Sequence, residues 1–429
     1  MNEKMLLKII EENTFVTVGC TDPVAVGLAA STAFNSIGGE IEEIRLSLDK
    51  NIYKDALSVG IPGTLRSGLD LAVALSVLYG DPTDGLRLLK NVEESDIANA
   101  EDFIKQHKIT FCLKEDVDGI YVKADVITSL GKASALIRYA HDRIEEIEVN
   151  GEKRRRDHAI ISSSGEMVDL SQISDLSIKG ILDFVSTVSG DKILFLNDGI
   201  EMNLKAAEMG LKDYFGLGTG KRYENLILKD VLSDDLVNRT KKDVGSAADA
   251  RMAGLNVPIY GCFGSGNHGI TLFTTIGNVA RYLDSDPVRT SRALALALLV
   301  VGVIKAHTGV LTPHCGCSVA AGTGAAAGIT YLLGGDDEQI ENACHMMLAN
   351  LTGMLCDGAK YGCSLKMVAS AGAAIESSYL ALEGAHVPDR NGIIGSSFSK
   401  TMKNLLAITQ QGMGDVDRAI LDILLSLEN

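Results

Sequence analysis

The spacing of apolar positions changes character twice along this chain. LLKIIEEN (6–13) has helical spacing, and the nearly continuous apolar stretch LDLAVALSVLYG (69–80) follows a glycine- and proline-bearing loop, SVGIPGTLRSG (58–68). From about residue 90 the pattern becomes β-like. KITFCLK (108–114), GIYVKADVITS (119–129), KASALIRYA (132–140) and RIEEIEVNG (143–151) alternate or are rich in strand formers, and turn residues such as DVDG and NG bound them. LSQISDLSIKGILDFVSTV (170–188) returns to helical spacing. From about 195 onward nearly everything reads as helix, interrupted by glycine-rich breaks at 215–220, 261–269, 315–324, 334–335 and 353–362. No fixed-period repeat is present. The pattern predicts an α+β fold, with a large, mostly helical domain and a smaller α/β module containing a short antiparallel sheet. Residues 1–90 read as an N-terminal helical segment packing on the helical domain, 91–194 as the small module and 195–429 as the helical domain.

Composition narrows this further. Of 429 residues, 46% are hydrophobic and 22% charged, the balance of a globular protein and not of a disordered one. The longest apolar run, ALALALLVVGVI (293–304), is too short to cross about 30 Å of hydrocarbon and reads as a buried core helix. The N-terminus lacks the pattern of a secretory leader. A formal net charge of −16 argues against a nucleic-acid backbone as partner, and the one basic run, EKRRR (152–156), reads as a solvated turn. A cytoplasmic location follows as the expectation. The eight cysteines are then core residues, ligands or reactive thiols and not a disulfide framework.

Several cysteines stand in segments able to do chemistry. In GMLCDGAKYGCSLK (353–366), Cys356 and Cys363 are flanked by Gly353, Gly358 and Gly362, which leave room for a bulky inorganic group. Iron–sulfur clusters prefer thiolate ligands, and PHCGC (313–317) offers Cys315 or Cys317 as a third. Zinc on the same thiols and His314 is the alternative. Cys112, in a strand, and Cys344, in a helix, read as core residues. Cys20, in TVGCTDPVAVGLAAS, lies just before a helix start marked by Pro23, with Thr21 or Asp22 suited to its N-cap; the positive end of the helix dipole favours thiolate there. That thiolate can serve as base, nucleophile or metal ligand. GCFGSGNHGITLFTTI (261–276) is a small-residue loop leading into a helix, an anion-binding arrangement in which Ser265, Asn267 and His268 supply polar contacts. SVGIPGTLRSG is a similar candidate, with Thr64 and Arg66 placed to bind carboxylate. ISSSGE (161–166) reads as a turn or an arm reaching the site.

Taken in order, GCTDPVAVGLA, VGIPGT, SAADARMAG (246–254), GCFGSGNHGI, CGCSVAAGTGAAAG and GMLCDGAKYGCSLK resemble the L-cysteine desulfidase family, which is distantly similar to the α-domain of iron–sulfur L-serine dehydratases. The resemblance covers almost the whole chain. It implies an oxygen-sensitive [4Fe–4S] cluster in the 195–429 domain, with Cys356 and Cys363 as two ligands and Cys317 as the third, Cys315 being the rival. It also implies Cys20 as the proton acceptor, and one iron left open for the substrate's sulfur. The implied reaction is the α,β-elimination of L-cysteine to sulfide, pyruvate and ammonia. Asn267, His268, Ser265 and Thr64 would bind the substrate.

No pyridoxal-phosphate lysine context is evident around Lys54, Lys360 or Lys366, so the α-proton must be removed without that electron sink. Cys20 can equally cap the open iron at rest. The rival readings are an iron–sulfur dehydratase of L-serine or a related hydroxy amino acid, and a non-enzymatic cluster- or zinc-binding sensor. The expected partner is the amino-acid substrate, with no nucleic acid and no membrane; a homo-oligomer is left open.

Overall fold

The computed structural model describes residues 2–117, 119–154 and 169–427. ISSSGE and the last two residues of EKRRR lie outside these.

A six-stranded sheet carries the smaller hydrophobic core. Its order is Lys108–Leu113, Ile41–Leu48, Tyr121–Thr128, Gly131–Arg138, Ile144–Val149 and Glu152–Arg154. The β-rich region therefore forms strands close to where the alternation places them. In Tyr121–Thr128 every second residue is buried, so Val122, Ala124 and Val126 face the core. Asn150 and Gly151 both take positive φ (51° and 86°), the geometry of a two-residue hairpin turn, and bring Glu152 back beside Val149.

Three expectations need correction here. The sheet is mixed, because Ile41–Leu48 runs parallel to Lys108–Leu113 while its other neighbour is antiparallel. Residues 1–90 are also not all helical, since Ile41–Leu48 is an interior strand of this sheet. Its pattern, IEEIRLSL, hides the strand among charges, yet Ile41, Ile44, Leu46 and Leu48 are buried. The EKRRR run begins as an exposed edge strand and not a turn. The helix Thr21–Ile37 covers the sheet, and Leu69–Tyr79 packs on that helix and shares the same core. Only Glu3–Glu12, of the N-terminal helices, packs into the larger core.

That larger core surrounds Pro287–Thr308. This helix is apolar on all sides because helices enclose it, and Ala293 through Ile304 (apart from Gly302) have essentially no exposed surface. It extends well beyond the apolar run on both sides, long and apolar enough by composition to cross a membrane, but 78% of its most apolar window is buried inside the protein. Asp286 caps it, accepting from the amides of Val288 and Arg289, and Pro287 occupies the first turn.

A two-stranded antiparallel pair, Thr14–Val18 with Pro258–Cys262, ties the two cores together. Both strands end in motif loops: Gly19-Cys20 follows one, and Phe263-Gly264-Ser265 follows the other. Because the pair is antiparallel, the two loops leave from opposite ends, and it is the hydrogen bond from Thr21 Oγ1 to the Gly264 carbonyl that joins the two distant motifs.

Candidate active site

Cys20 itself, and not Thr21 or Asp22 as expected, is the N-cap residue of Thr21–Ile37, and its side chain makes no capping hydrogen bond. Gly19 precedes it at φ +77°, and a Cβ there would lie 2.1 Å from Pro62 Cγ, so the turn admits only glycine. Thr21 Oγ1 donates to the carbonyl of Gly264 (3.2 Å), locking the helix start to the GSGNH loop. That loop turns sharply, with Phe263 at φ +45° and Gly264 at φ +79°, before the chain re-enters a helix at Gly266.

The cysteine motifs meet through backbone pairing. The Cys315 amide donates to Met354 O, and the Cys356 amide to Pro313 O, each at 2.8 Å. PHCGC and MLC therefore run antiparallel through a single bridge at His314 and Leu355, which sets Cys315 and Cys356 close together. Cys363 begins the helix Cys363–Leu382 and packs, with Ala359, against a small cluster containing Cys20. The buried Lys54 holds the Cys356 carbonyl from below (3.1 Å) while paired to Asp417 at 2.7 Å. The C-terminal helix Val416–Leu427 is thereby fastened under the thiol loop.

All these residues line one cavity of about 80 Å³: Cys20, Cys315, Cys317, Cys356 and Cys363 together with Ser265, Asn267 and His268. Every thiol is free. Thr64 does not reach it. Its hydroxyl donates to Ile61 O (2.9 Å) and accepts from the Arg66 amide (3.1 Å), so it shapes a turn, and Arg66 is exposed. Cys112 is likewise not a core residue: it lies on the exposed face of its strand, whereas Cys344 is fully buried.

Five further cavity residues are absent from the site expected from the sequence, Asp22 being expected only as an N-cap. Asp22 and His141 stand behind Cys20: the thiol donates to Asp22 Oδ2 (3.3 Å), and His141 Nε2 is 3.2 Å from Asp22 Oδ1. Arg251 is buried, and only its Nη1 is engaged, donating to Asn267 Oδ1 (2.8 Å); Nε and Nη2 have no partner. Asp55 Oδ1 and His268 Nδ1 are also buried without a hydrogen bond. Lys305, the residue that ends the apolar run, bonds Val310 O (2.8 Å) and faces the thiols. The one available signal was a charged residue inside an otherwise small or apolar segment: Arg251 in SAADARMAG, and Lys305 after twelve apolar residues.

Electrostatics divide the cavity. Burial, and then the charge of Asp22, push the Cys20 thiol well above its ordinary value, so the helix start does not make it a thiolate at rest. Burial pushes the Asp22 carboxyl up, but the hydrogen bond and charge of His141 outweigh this and leave it ionised. His141 is raised: burial lowers it, and the Asp22 bond more than restores it. Burial lowers Lys305 to about 8 against the opposing pull of the surrounding thiols. The hydrogen bond from Cys317 brings Cys315 down to about 6 despite burial, and raises Cys317 in turn. Burial keeps His268 neutral.

The residues fit a thiol-bound cluster. Four thiols of Cys315, Cys317, Cys356 and Cys363 border the cavity with Lys305 and Lys366, cations suited to an anionic thiolate assembly. Gly316 is needed for this packing, since a Cβ there would lie 2.2 Å from His268 Nε2 and 3.2 Å from Lys305 Nζ. Among the described residues, no three His, Cys, Asp or Glu side chains are grouped as for a single ion.

A buried, thiol-lined cavity lies where the helical core and the mixed sheet meet, and similarity in sequence puts the chain in a serine dehydratase-like family, generally associated with iron–sulfur clusters. Residues 84–422 match the family described as serine dehydratase alpha chain, and the chain belongs to that family. It is 38% identical over 416 residues to a UPF0597 protein of Desulfatibacillum aliphaticivorans, covering 95% of each chain. A UPF0597 protein of Caldanaerobacter subterraneus subsp. tengcongensis is 37% identical, with 98% of each chain covered.

Proposed function

We propose that this protein is an L-cysteine desulfidase, eliminating sulfide from L-cysteine and yielding pyruvate and ammonia through aminoacrylate. The observation that carries the reading is the meeting of Cys20 and the four motif thiols on one cavity with a buried, half-unpartnered arginine. Cys356, Cys363 and Cys317 hold the cluster, with Cys315 as competitor for the third position. When bound, the cluster supplies a thiophilic Lewis-acid site for the leaving sulfur.

The chain's own residues do the rest. Arg251 presents two free N–H groups from a buried guanidinium to the substrate carboxylate, and bidentate pairing there fixes the α-carbon. Asn267, read from the sequence as a substrate ligand, acts through Arg251: its amide accepts from the guanidinium and donates towards Met252 Sδ (3.5 Å). His268, neutral, and Ser265 complete the polar rim. Cys20 takes the α-proton. Because its thiol is donated to Asp22 at rest, it must first lose that proton.

The family name favours a second reading, L-serine dehydration at the same site. Purified under strictly anaerobic conditions, the protein is expected to carry iron and acid-labile sulfide and to release sulfide from L-cysteine with negligible pyruvate from L-serine. Pyruvate from serine without sulfide from cysteine assigns the second reading. Absence of iron from anaerobically prepared protein sinks both.

A further inference from the structure

We propose that Asp22 and His141 form a proton outlet for Cys20, passing the proton taken from the substrate's Cα out of the reaction cavity into a second cavity that reaches the surface. The proposal rests on the reading of Cys20 as proton acceptor.

Three observations support it. The hydrogen-bond chain is continuous: Cys20 Sγ to Asp22 Oδ2 is 3.3 Å, and Asp22 Oδ1 to His141 Nε2 is 3.2 Å, all within buried residues. His141 lines two cavities, that of the thiols and a neighbouring one of about 100 Å³. Phe263, Gly264 and Val310 complete the wall between them, and Gly264 lets the ring sit close, since a Cβ there would lie 2.8 Å from Val310 Cγ1 and 3.6 Å from His141 Cε1. Finally, Tyr139, which is 54% exposed, lines the second cavity and brings it to the surface. The groups whose charge acts on the imidazole are Asp22 from Thr21–Ile37, Asp142 beside it and Asp49 at the start of Lys50–Ala56.

The proton balance requires such a route. Elimination breaks Cα–H and Cβ–S. The C–H electron pair becomes the Cα=Cβ bond, the Cβ–S pair leaves with sulfur, and the proton ends on Cys20 Sγ. Before another turnover that proton must depart. Asp22 Oδ2 accepts it. The imidazolium, no longer facing a carboxylate, gives its own proton to solvent in the second cavity. Once the ring has flipped or exchanged tautomer so that Nε2 carries no proton, the Asp22 proton passes to it, restoring the pair and leaving Cys20 transiently the thiolate that takes the next α-proton, its resting form being the thiol. Asp22 and His141 touch no reacting atom and are positioning residues.

The test uses the cluster-loaded protein with His141→Gln and His141→Ala. In His141→Gln, kcat on L-cysteine is expected to fall about 10²-fold and KM to fall with it, leaving kcat/KM unchanged. The primary isotope effect from α-deuterated cysteine should fall towards one, and the solvent isotope effect should rise, because proton release becomes slow. Imidazole added to His141→Ala should restore turnover by entering the second cavity. Wild-type kcat, or a loss with unaltered isotope effects and no rescue, overturns the outlet. If the wild type consumes L-serine and not L-cysteine, the desulfidase reading fails while the outlet is tested identically on serine, since both eliminations start at Cα–H. If neither is consumed, carbamidomethylation of Cys20 by iodoacetamide, followed by peptide mass at fixed pH, must slow about tenfold in His141→Gln, because the Asp22 charge is no longer offset. An unchanged rate overturns the proposal.

Discussion

The two walls of the cavity are built by opposite means. The helical wall carries soft donors: Cys315, Cys317, Cys356 and Cys363, set among glycines and backed by Lys305 and Lys366. The wall towards the sheet carries hard acid–base groups: Cys20 against Asp22 and His141, with Asp55 nearby. One wall can hold a cluster and the leaving sulfur, and the other can move a proton. Separating them keeps the acceptor thiol's carboxylate and imidazole partners on a different structural unit from the ligand thiols. The comparison teaches that Cys20, although a cysteine among cysteines, belongs by its partners to the acid–base wall.

The most damaging way to break the division is on the helical wall. Cys356→Ala or Cys363→Ala should abolish turnover and lower iron content in anaerobic analysis, whereas Cys20→Ala should keep its iron and lose turnover. Equal iron loss in Cys20→Ala would move Cys20 to the other wall. Cys317→Ser should lose iron and Cys315→Ser retain it; the reverse exchanges the third ligand.

Arg251, which faces both walls, comes next. Arg251→Lys keeps the charge but not the fork, and kcat/KM on L-cysteine should drop about 10²-fold, near 3 kcal/mol, with iron unchanged. An unaltered kcat/KM would remove the carboxylate clamp.

The fastening beneath the walls should show in stability. Asp417→Ala leaves the buried Lys54 with Asp55, 3.8 Å away, as its remaining carboxylate and should cost about 3 kcal/mol in denaturant unfolding.

The Asp22–His141 pair gives a smaller, pH-dependent contribution. Asp22 is depressed in the fold, so its share is present above the unfolded carboxylate pKa and is lost as pH falls through the folded value. His141 is raised, so its share is complete below the unfolded imidazole pKa and disappears as pH rises through the folded one. Thermal unfolding across pH should therefore show a wild-type advantage over His141→Gln that narrows at both extremes; a constant difference would mean that packing alone is lost. At the bottom of the scale, Cys112→Ser on the exposed strand face should change stability by less than about 0.5 kcal/mol and leave iron and turnover untouched.

Much of this layout was legible in the chain. Alternation located the strands from 108 to 149, the apolar run located the central helix, and glycine-flanked cysteines marked the thiol wall. The strand Ile41–Leu48 was not legible, because as an interior strand its partners, and not its own charge-rich pattern, bury it. Thr64 was misjudged because a hydroxyl in a glycine-rich loop looks the same whether it meets a ligand or its own backbone.

By itself, the order of residues determined most of the helices and the strands from 108 to 149, and which segments carry thiols, since periodicity and local backbone preference are short-range properties. Only the tertiary structure decided that Cys20 is held as a thiol, that Asn267 serves Arg251, and that His141 stands behind Asp22 across 119 residues of chain. Burial and charge pairing arise only when distant segments exclude water from one another, and no local pattern encodes that meeting.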